Sequence, residues 1–300
     1  MKTQNHVLVL SSRADLPFAI TDHCASFLDN RNVKLEKINI LGDKGLELIF
    51  ASDFSTHLAE LREQLKPLEI DANLCSTINR RKKLLIADMD ATIITSECID
   101  ELASIHGISD QIKAITSKAM QGELDFDSSL RARVRLLCDL PTKAIEIAYR
   151  DKVSLTAGAQ TLIQTMNTFK ATTILASGGF TCFAERIAQR VGFHHCHANK
   201  LDIADERLTG KIIEPILGKE SKKTILQQYM RDLKIKADDT IAVGDGANDE
   251  DMIKAASFGV AFNAKPSLRQ HTPLHIDHSD LTALLFLQGY REEEFVRNTI

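Results

Sequence analysis

Two carboxylates, Asp88 and Asp90, stand one residue apart at the end of the apolar run Leu84-Leu85-Ile86-Ala87. Such a run reads as a buried strand, so both acids emerge where the strand meets solvent. One carboxylate placed there can attack phosphorus and form an acyl phosphate, while its neighbour moves the proton of the leaving group. Asp at a strand end is also ordinary turn chemistry, and on these two residues alone the two readings are equally supported. Two further apolar runs end in the same manner: 172–176 leads into Ser177-Gly178-Gly179, and 240–243 into Gly244-Asp245-Gly246-Ala247-Asn248-Asp249. In open α/β sheets ligands bind outside the carboxyl ends of the strands, so three such ends predict one converging site.

The elements that must position these residues follow from periodicity. Strands are predicted at 6–10, 33–41, 45–51 and 69–76, and helices at 17–29 and 55–66, giving a βαββαβ unit over 1–78 with both helices on one face. Leu41-Gly42-Asp43-Lys44-Gly45 supplies its hairpin turn. From residue 79 to 300 strands alternate with helices, the pattern of a parallel sheet: helix 159–169, strand 172–176, helix 182–191, strand 240–243, helix 249–256 and strand 259–262. Between 96 and 150 the periodicity is helical, with helices at 97–106, 108–121 and 126–137. An all-helical insertion directly after the first acidic strand is placed to act as a lid that excludes water. The fold class predicted is thus α/β, a Rossmann-like parallel sheet with a helical cap after its first strand, preceded by a small α+β domain.

Composition narrows the partners. With 300 residues, 44% hydrophobic and 26% charged, the chain has the makeup of a folded protein with room for two domains. A net charge of −4 and no basic run longer than Arg80-Arg81-Lys82-Lys83 argue against nucleic acid, and that run is read as a domain junction. The absence of an 18-residue apolar stretch and of a leader-like amino terminus predicts neither a membrane span nor secretion, hence a cytoplasmic protein. Cys24, Cys75, Cys98, Cys138, Cys182 and Cys196 form no CxxC pair and are expected to be reduced thiols. His194-His195-Cys196-His197 looks metal-like, but consecutive strand residues point to opposite faces and cannot close round one ion. The run is read as a strand before a turn at 199–201.

The segments DMDATIITSECIDELA, AMQGELDFDSSLRARVRLL, ASGGF and VGDGANDEDM resemble the haloacid dehalogenase superfamily, over about residues 80 to 290. The likeness is greatest to the members that hydrolyse O-phospho-L-serine, the last step of serine biosynthesis. The resemblance implies that Asp88 is the nucleophile and Asp90 the general acid and base. It implies that the Asp88 carboxylate, the Asp90 main-chain oxygen and Asp245 hold Mg²⁺, with Asp249 supporting them from behind. A hard cation with oxygen ligands is also what the chemistry asks for, because an anionic carboxylate must approach an anionic phosphate.

The same resemblance makes Ser177 and the Gly178 amide phosphate donors at a helix amino terminus, Asn248 a further substrate contact, and Lys222, in a Lys-x-x-x-Leu pattern, the phosphate-balancing lysine. Lys223 is adjacent. In the cap it sets Glu97 against the substrate ammonium and Arg133 against its carboxylate, for which the planar guanidinium fork suits. Phe126, on the same helical face as Arg133, and Met120 close over the substrate. Arg131 lies about 200° round the helix from Arg133 and faces elsewhere. The pattern departs from the superfamily at Ala91, commonly Ser, whose side chain is expected to point away from the two acids.

The βαββαβ unit resembles ACT-type modules, which implies amino-acid binding, pairing of subunits into a homodimer, or structural support. Two rivals to hydrolysis stay open on the residues: phosphoryl transfer to an alcohol such as homoserine, and a catalytically silent amino-acid sensor.

Overall fold

The computed structural model describes residues 6–121 and 123–297, so the expected unit ends at 1 and 300 lie outside the described residues. The chain opens with β1 (His6–Ser12), α1 (Ile20–Asp29), β2 (Leu35–Gly42), β3 (Gly45–Phe50), α2 (Leu58–Leu65) and β4 (Ile70–Ser76). The strands form an antiparallel sheet in the order β2-β3-β1-β4. Strand alternation splits β1 between two cores. Leu8 and Leu10 pack with Phe27, Leu28, Leu61 and Leu65 of the two helices. Val7 and Val9 join Leu285 and Phe286 near the carboxyl terminus in the main core.

The rest comprises β5 (Leu84–Ala87), α3 (Cys98–His106), α4 (Ser109–Met120), α5 (Phe126–Leu136), α6 (Lys143–Lys152), α7 (Ala159–Thr168), β6 (Thr172–Phe180), α8 (Thr181–Val191), β7 (His195–Ala204) and β8 (Arg207–Ile213). It continues through α9 (Lys219–Asp232), β9 (Thr240–Gly244), α10 (Glu250–Ala255), β10 (Phe258–Phe262), α11 (Pro266–Arg269), β11 (Leu274–Ile276) and α12 (Ala283–Leu287). The seven-stranded sheet runs β11-β10-β9-β5-β6-β7-β8, parallel except for β8 against β7. Because β5 lies between β9 and β6, the three strand ends singled out in the sequence are immediate neighbours. Helices α3 to α6 form the insertion that follows β5.

The structure departs from the sequence reading at 177–179 and at 199–201. Ser177 and Gly178 do not stand at a helix amino terminus: β6 continues irregularly to Phe180 and α8 starts only at Thr181. Nor does the chain turn at 199–201. Strand β7 passes through, and the reversal comes at Asp205-Glu206, both with positive φ (50° and 59°). Asn199 is 2% exposed and bridges the segments beside it, donating to the carbonyls of Gly178 and Leu217 and accepting from the Leu217 amide. The basic run 80–83, read as a domain junction, is tied down on both sides. Arg80 pairs with buried Glu47 at 2.6 Å, and the Lys82 ammonium donates to Asn79 O, Asp238 O and Ser257 Oγ. The six cysteines are free thiols. Among the described residues, no helix is long and apolar enough to cross a membrane.

Candidate active site

Asp88 leaves the end of β5 with its amide bonded to Val243 O of β9 at 3.0 Å, which holds it beside the β9 terminus. The chain then coils through residues 89–93, with Ala91 in the left-handed region (φ 52°). Ala91 thus sits in a turn, and turn geometry rather than strand alternation sets its direction. Asp90 is turned back toward the insertion, where its Oδ1 accepts the amide of Cys98, the first residue of α3, at 2.9 Å. A Cβ added at Gly179 would lie 2.7 Å from Asp90 Oδ2 and 3.0 Å from Ser177 Oγ. Only glycine lets these two groups stand so close across the backbone. Ser177 is fully buried, and its hydroxyl accepts the Gly179 amide at 2.8 Å.

Lys222, on α9, reaches into this centre. Its ammonium donates to Asp88 Oδ1 at 2.6 Å and to Asp249 Oδ1 at 2.5 Å, and its side chain is 1% exposed. Lys223 is directed outward, so the structure separates the two neighbouring lysines. Against the burial that would lower it, Asp249 and Asp88 hold the Lys222 ammonium above its ordinary value. Burial and the nearby Asp249 push Asp88 well above the carboxylate range, Lys222 opposing them. Burial raises Asp90 too, against the Cys98 amide, and raises Asp245 against Lys265.

Ligand oxygens of Asp88, Asp245 and Asp249 all lie within 4.8 Å of one another, a cluster able to hold a metal ion. The donor set suits a hard divalent cation. Asp88, Asp90, Asp245 and Asp249 face two ammonium groups, Lys222 and Lys265, which leaves a formal excess of two negative charges. The oxygens are not equivalent. Asp249 Oδ2 accepts the amides of Asp245 and Gly246, each at 3.1 Å, and its Oδ1 takes Lys222. Asp249 therefore shapes the β9 loop and orients its neighbours.

The insertion closes over this floor. A Cβ at Gly178 would come within 2.8 Å of Phe126 Cζ, so the ring rests on the Gly178 backbone. Arg133 lies on the same helix, its Nε donating to Ser129 O at 3.3 Å. Burial lowers its guanidinium, and Glu97, Asp100 and Asp90 counter that. Arg131 points away and pairs with Glu214 at 2.5 Å on the surface. Glu97 immediately precedes α3, and its side chain makes no capping hydrogen bond to that helix. Crowding by protein and the nearby Asp90 push its carboxyl up to about 7. Asn248 lies in the β9 loop, its Oδ1 at 2.6 Å from a Cβ built on Gly246. Met120 ends α4, and its side chain lies outside what the structure describes.

Two site residues were not singled out from the sequence. Cys98 supplies the amide that fixes Asp90. Lys265 stands 3.1 Å from Asp245 and 3.8 Å from Glu97. Lys265 follows the carboxyl end of β10, next to β9 in the sheet, so inspecting every parallel strand end would have found it.

The chain is similar to known proteins. The haloacid dehalogenase-like hydrolase family matches residues 82–257. A phosphoserine phosphatase of Archaeoglobus fulgidus is 37% identical over 232 residues, 75% of this chain and 67% of that protein. One of Methanocaldococcus jannaschii is 37% identical over 208 residues, 69% of this chain and 98% of that protein. The crystal structure of a haloacid dehalogenase family hydrolase from Salmonella enterica serovar Typhi superimposes with a TM-score of 0.84 at 28% identity, covering 94% of this chain and 98% of that one. With the family matched across most of the chain and the acidic strand ends gathered at one centre, the chain belongs to the haloacid dehalogenase-like hydrolases and is a phosphatase enzyme.

Proposed function

We propose that the chain hydrolyses O-phospho-L-serine to L-serine and phosphate through an aspartyl phosphate on Asp88. The observation that carries this reading is a buried Asp88–Lys222 contact at 2.6 Å joined by two oppositely charged insertion residues, Glu97, 3.8 Å from Lys265, and Arg133, on the helix whose Phe126 rests on Gly178. A phosphate monoester that also bears an ammonium and a carboxylate satisfies both ends. The names of the two phosphatase relatives support the same substrate.

In this reading Asp88 Oδ2 attacks phosphorus while Lys222 keeps Oδ1 fixed. Ser177 and the Gly178 amide bind the phosphoryl oxygens. Asp90, its Oδ1 held by the Cys98 amide, presents Oδ2 to give a proton to the departing serine oxygen and then to take one from the attacking water. Glu97 receives the ammonium and Arg133 the carboxylate, and Phe126 closes the site against bulk water. Asp88, the Asp90 carbonyl and Asp245 would hold Mg²⁺, which neutralises phosphate charge so that two anions can meet. Residues 1–78 form an ACT-like domain, supported by the sheet order β2-β3-β1-β4. Residues 79–300 form the phosphatase domain, with its cap at about 96–150.

Phosphate release from O-phospho-L-serine, with and without Mg²⁺, tests the proposal against Asp88→Asn and Arg133→Ala. Metal-dependent release should vanish in the first. The second should lose about 10- to 100-fold in kcat/KM, the worth of a charge-assisted hydrogen bond, yet little with a phosphate ester lacking a carboxylate. Unimpaired release by Asp88→Asn would remove it as nucleophile, and equal losses on both substrates would remove Arg133 from recognition.

A further inference from the structure

We propose that Lys265 is an internal stand-in for the positive charges that ligands bring: its ammonium bridges the Asp245 and Glu97 carboxylates and competes with the divalent cation for Asp245. The inference rests on the proposed role of Asp245 as a metal ligand. The two lysines at the centre differ in kind. Lys222 is sealed at 1% side-chain exposure between Asp88 and Asp249, so its charge is a fixed part of the site. The Lys265 side chain is 49% exposed, with Nζ 3.1 Å from Asp245 Oδ2 and 3.8 Å from Glu97 Oε1. It reaches solvent, whereas its partner Asp245 is 7% exposed, so a cation that displaces the ammonium takes over the charge of a buried carboxylate.

Its base is fixed where such a device has to sit. The Lys265 amide donates to the Asp245 carbonyl at 2.9 Å, and Pro266 follows as the first residue of α11. The backbone is thus pinned beside the Asp245 loop while the long side chain reaches solvent. Its two partners are the carboxylates to which the proposed chemistry delivers positive charge from outside, the cation at Asp245 and the substrate ammonium at Glu97. In the structure one lysine serves both and links the sheet to the start of α3. A dication arriving at Asp245 meets an ammonium already on Oδ2 and is repelled by it.

Isothermal titration of Mg²⁺ into metal-free protein at constant ionic strength tests the proposal, using wild type, Lys265→Met, Lys265→Arg and Asp245→Asn. Methionine keeps the stem and removes the charge. At a half-exposed position, where solvent screens the interaction, Lys265→Met should tighten Mg²⁺ binding by about tenfold. Lys265→Arg should restore the wild-type Kd, and Asp245→Asn should abolish binding. Thermal unfolding of the metal-free proteins supplies a second readout: Lys265→Met should melt below wild type, and saturating Mg²⁺ should erase the difference. Mg²⁺ binding by wild type with an unchanged or weaker Kd in a folded Lys265→Met would overturn the proposal alone. Failure of wild type to bind Mg²⁺ would overturn both it and the metal role of Asp245.

Discussion

Lys222 Nζ lies 2.6 Å from Asp88 Oδ1, with 1% and 6% of the two side chains exposed. A buried ion pair cannot relax into water when one partner is removed, and losing one typically costs about 3–5 kcal/mol. Lys222→Met should therefore reduce stability by about 3 kcal/mol in urea unfolding. It should also reduce kcat by about 10²- to 10³-fold, the usual effect of deleting one charge-stabilising donor. Lys223→Met should do neither, because that side chain is exposed. Equal effects of the two substitutions would show that α9 does not aim Lys222 as described.

Glu97 predicts a pH dependence with a definite sign. Burial and the field of Asp90 raise its carboxyl to about 7, so the charged form that can receive an ammonium is lost as pH falls through 7. With O-phospho-L-serine, kcat/KM should decline below pH 7, and Glu97→Gln should be slower but lack that inflection. Stability runs the other way. A carboxyl raised on folding binds more protons in the native state, so its contribution is favourable at low pH and lost as pH rises from its unfolded value toward 7. Glu97→Gln should therefore melt above wild type at pH 8 and differ less at pH 5. Calorimetry at the two pH values checks this.

Asp71 joins the small sheet to the body. Its carboxylate, 5% exposed, accepts the amides of Asp277, His278 and Ser279. Asn73 next to it exchanges two hydrogen bonds of 2.8 Å with the His275 backbone. Asp71→Ala strands buried donors, each costing about 1–3 kcal/mol, so a loss of about 3 kcal/mol in stability with kcat near wild type is expected. A large fall in kcat without a stability change would show that this junction governs the chemistry directly.

The catalytic floor was legible because it depends on short-range facts. The apolar runs before Asp88 and Gly244-Asp245 do end as strands, and the sheet order sets them beside β6, which carries Ser177-Gly178-Gly179 near its own end. Three of the four insertion helices, at 98–106, 109–120 and 126–136, fell within a residue or two of their predicted bounds, since amphipathic periodicity is itself local. What escaped depends on distant partners. Ser177-Gly178-Gly179 carries turn residues, yet its glycines serve the close approach of Phe126 and Asp90. Asn199 looks like a turn former until Gly178 and Leu217 are seen to use its side chain. Lys265 is an ordinary surface lysine until folding sets it against Asp245 and Glu97.

Contact between Phe126 and Gly178 makes closure of the insertion testable by a double-mutant cycle. A methyl at Gly178 would sit 2.8 Å from Phe126 Cζ, closer than two carbon atoms can approach. Either the ring yields or the insertion stays partly open. Gly178→Ala should thus raise KM for O-phospho-L-serine and lower kcat, about tenfold each, as expected when a binding group is displaced by an ångström or so. Phe126→Ala alone removes the ring that covers the substrate and should chiefly raise KM. In the double variant the methyl meets no ring, so the clash disappears and its loss should fall well short of the sum of the two single losses. Strict additivity would mean that the Gly178 methyl acts on the phosphate-binding backbone itself, not through closure by Phe126.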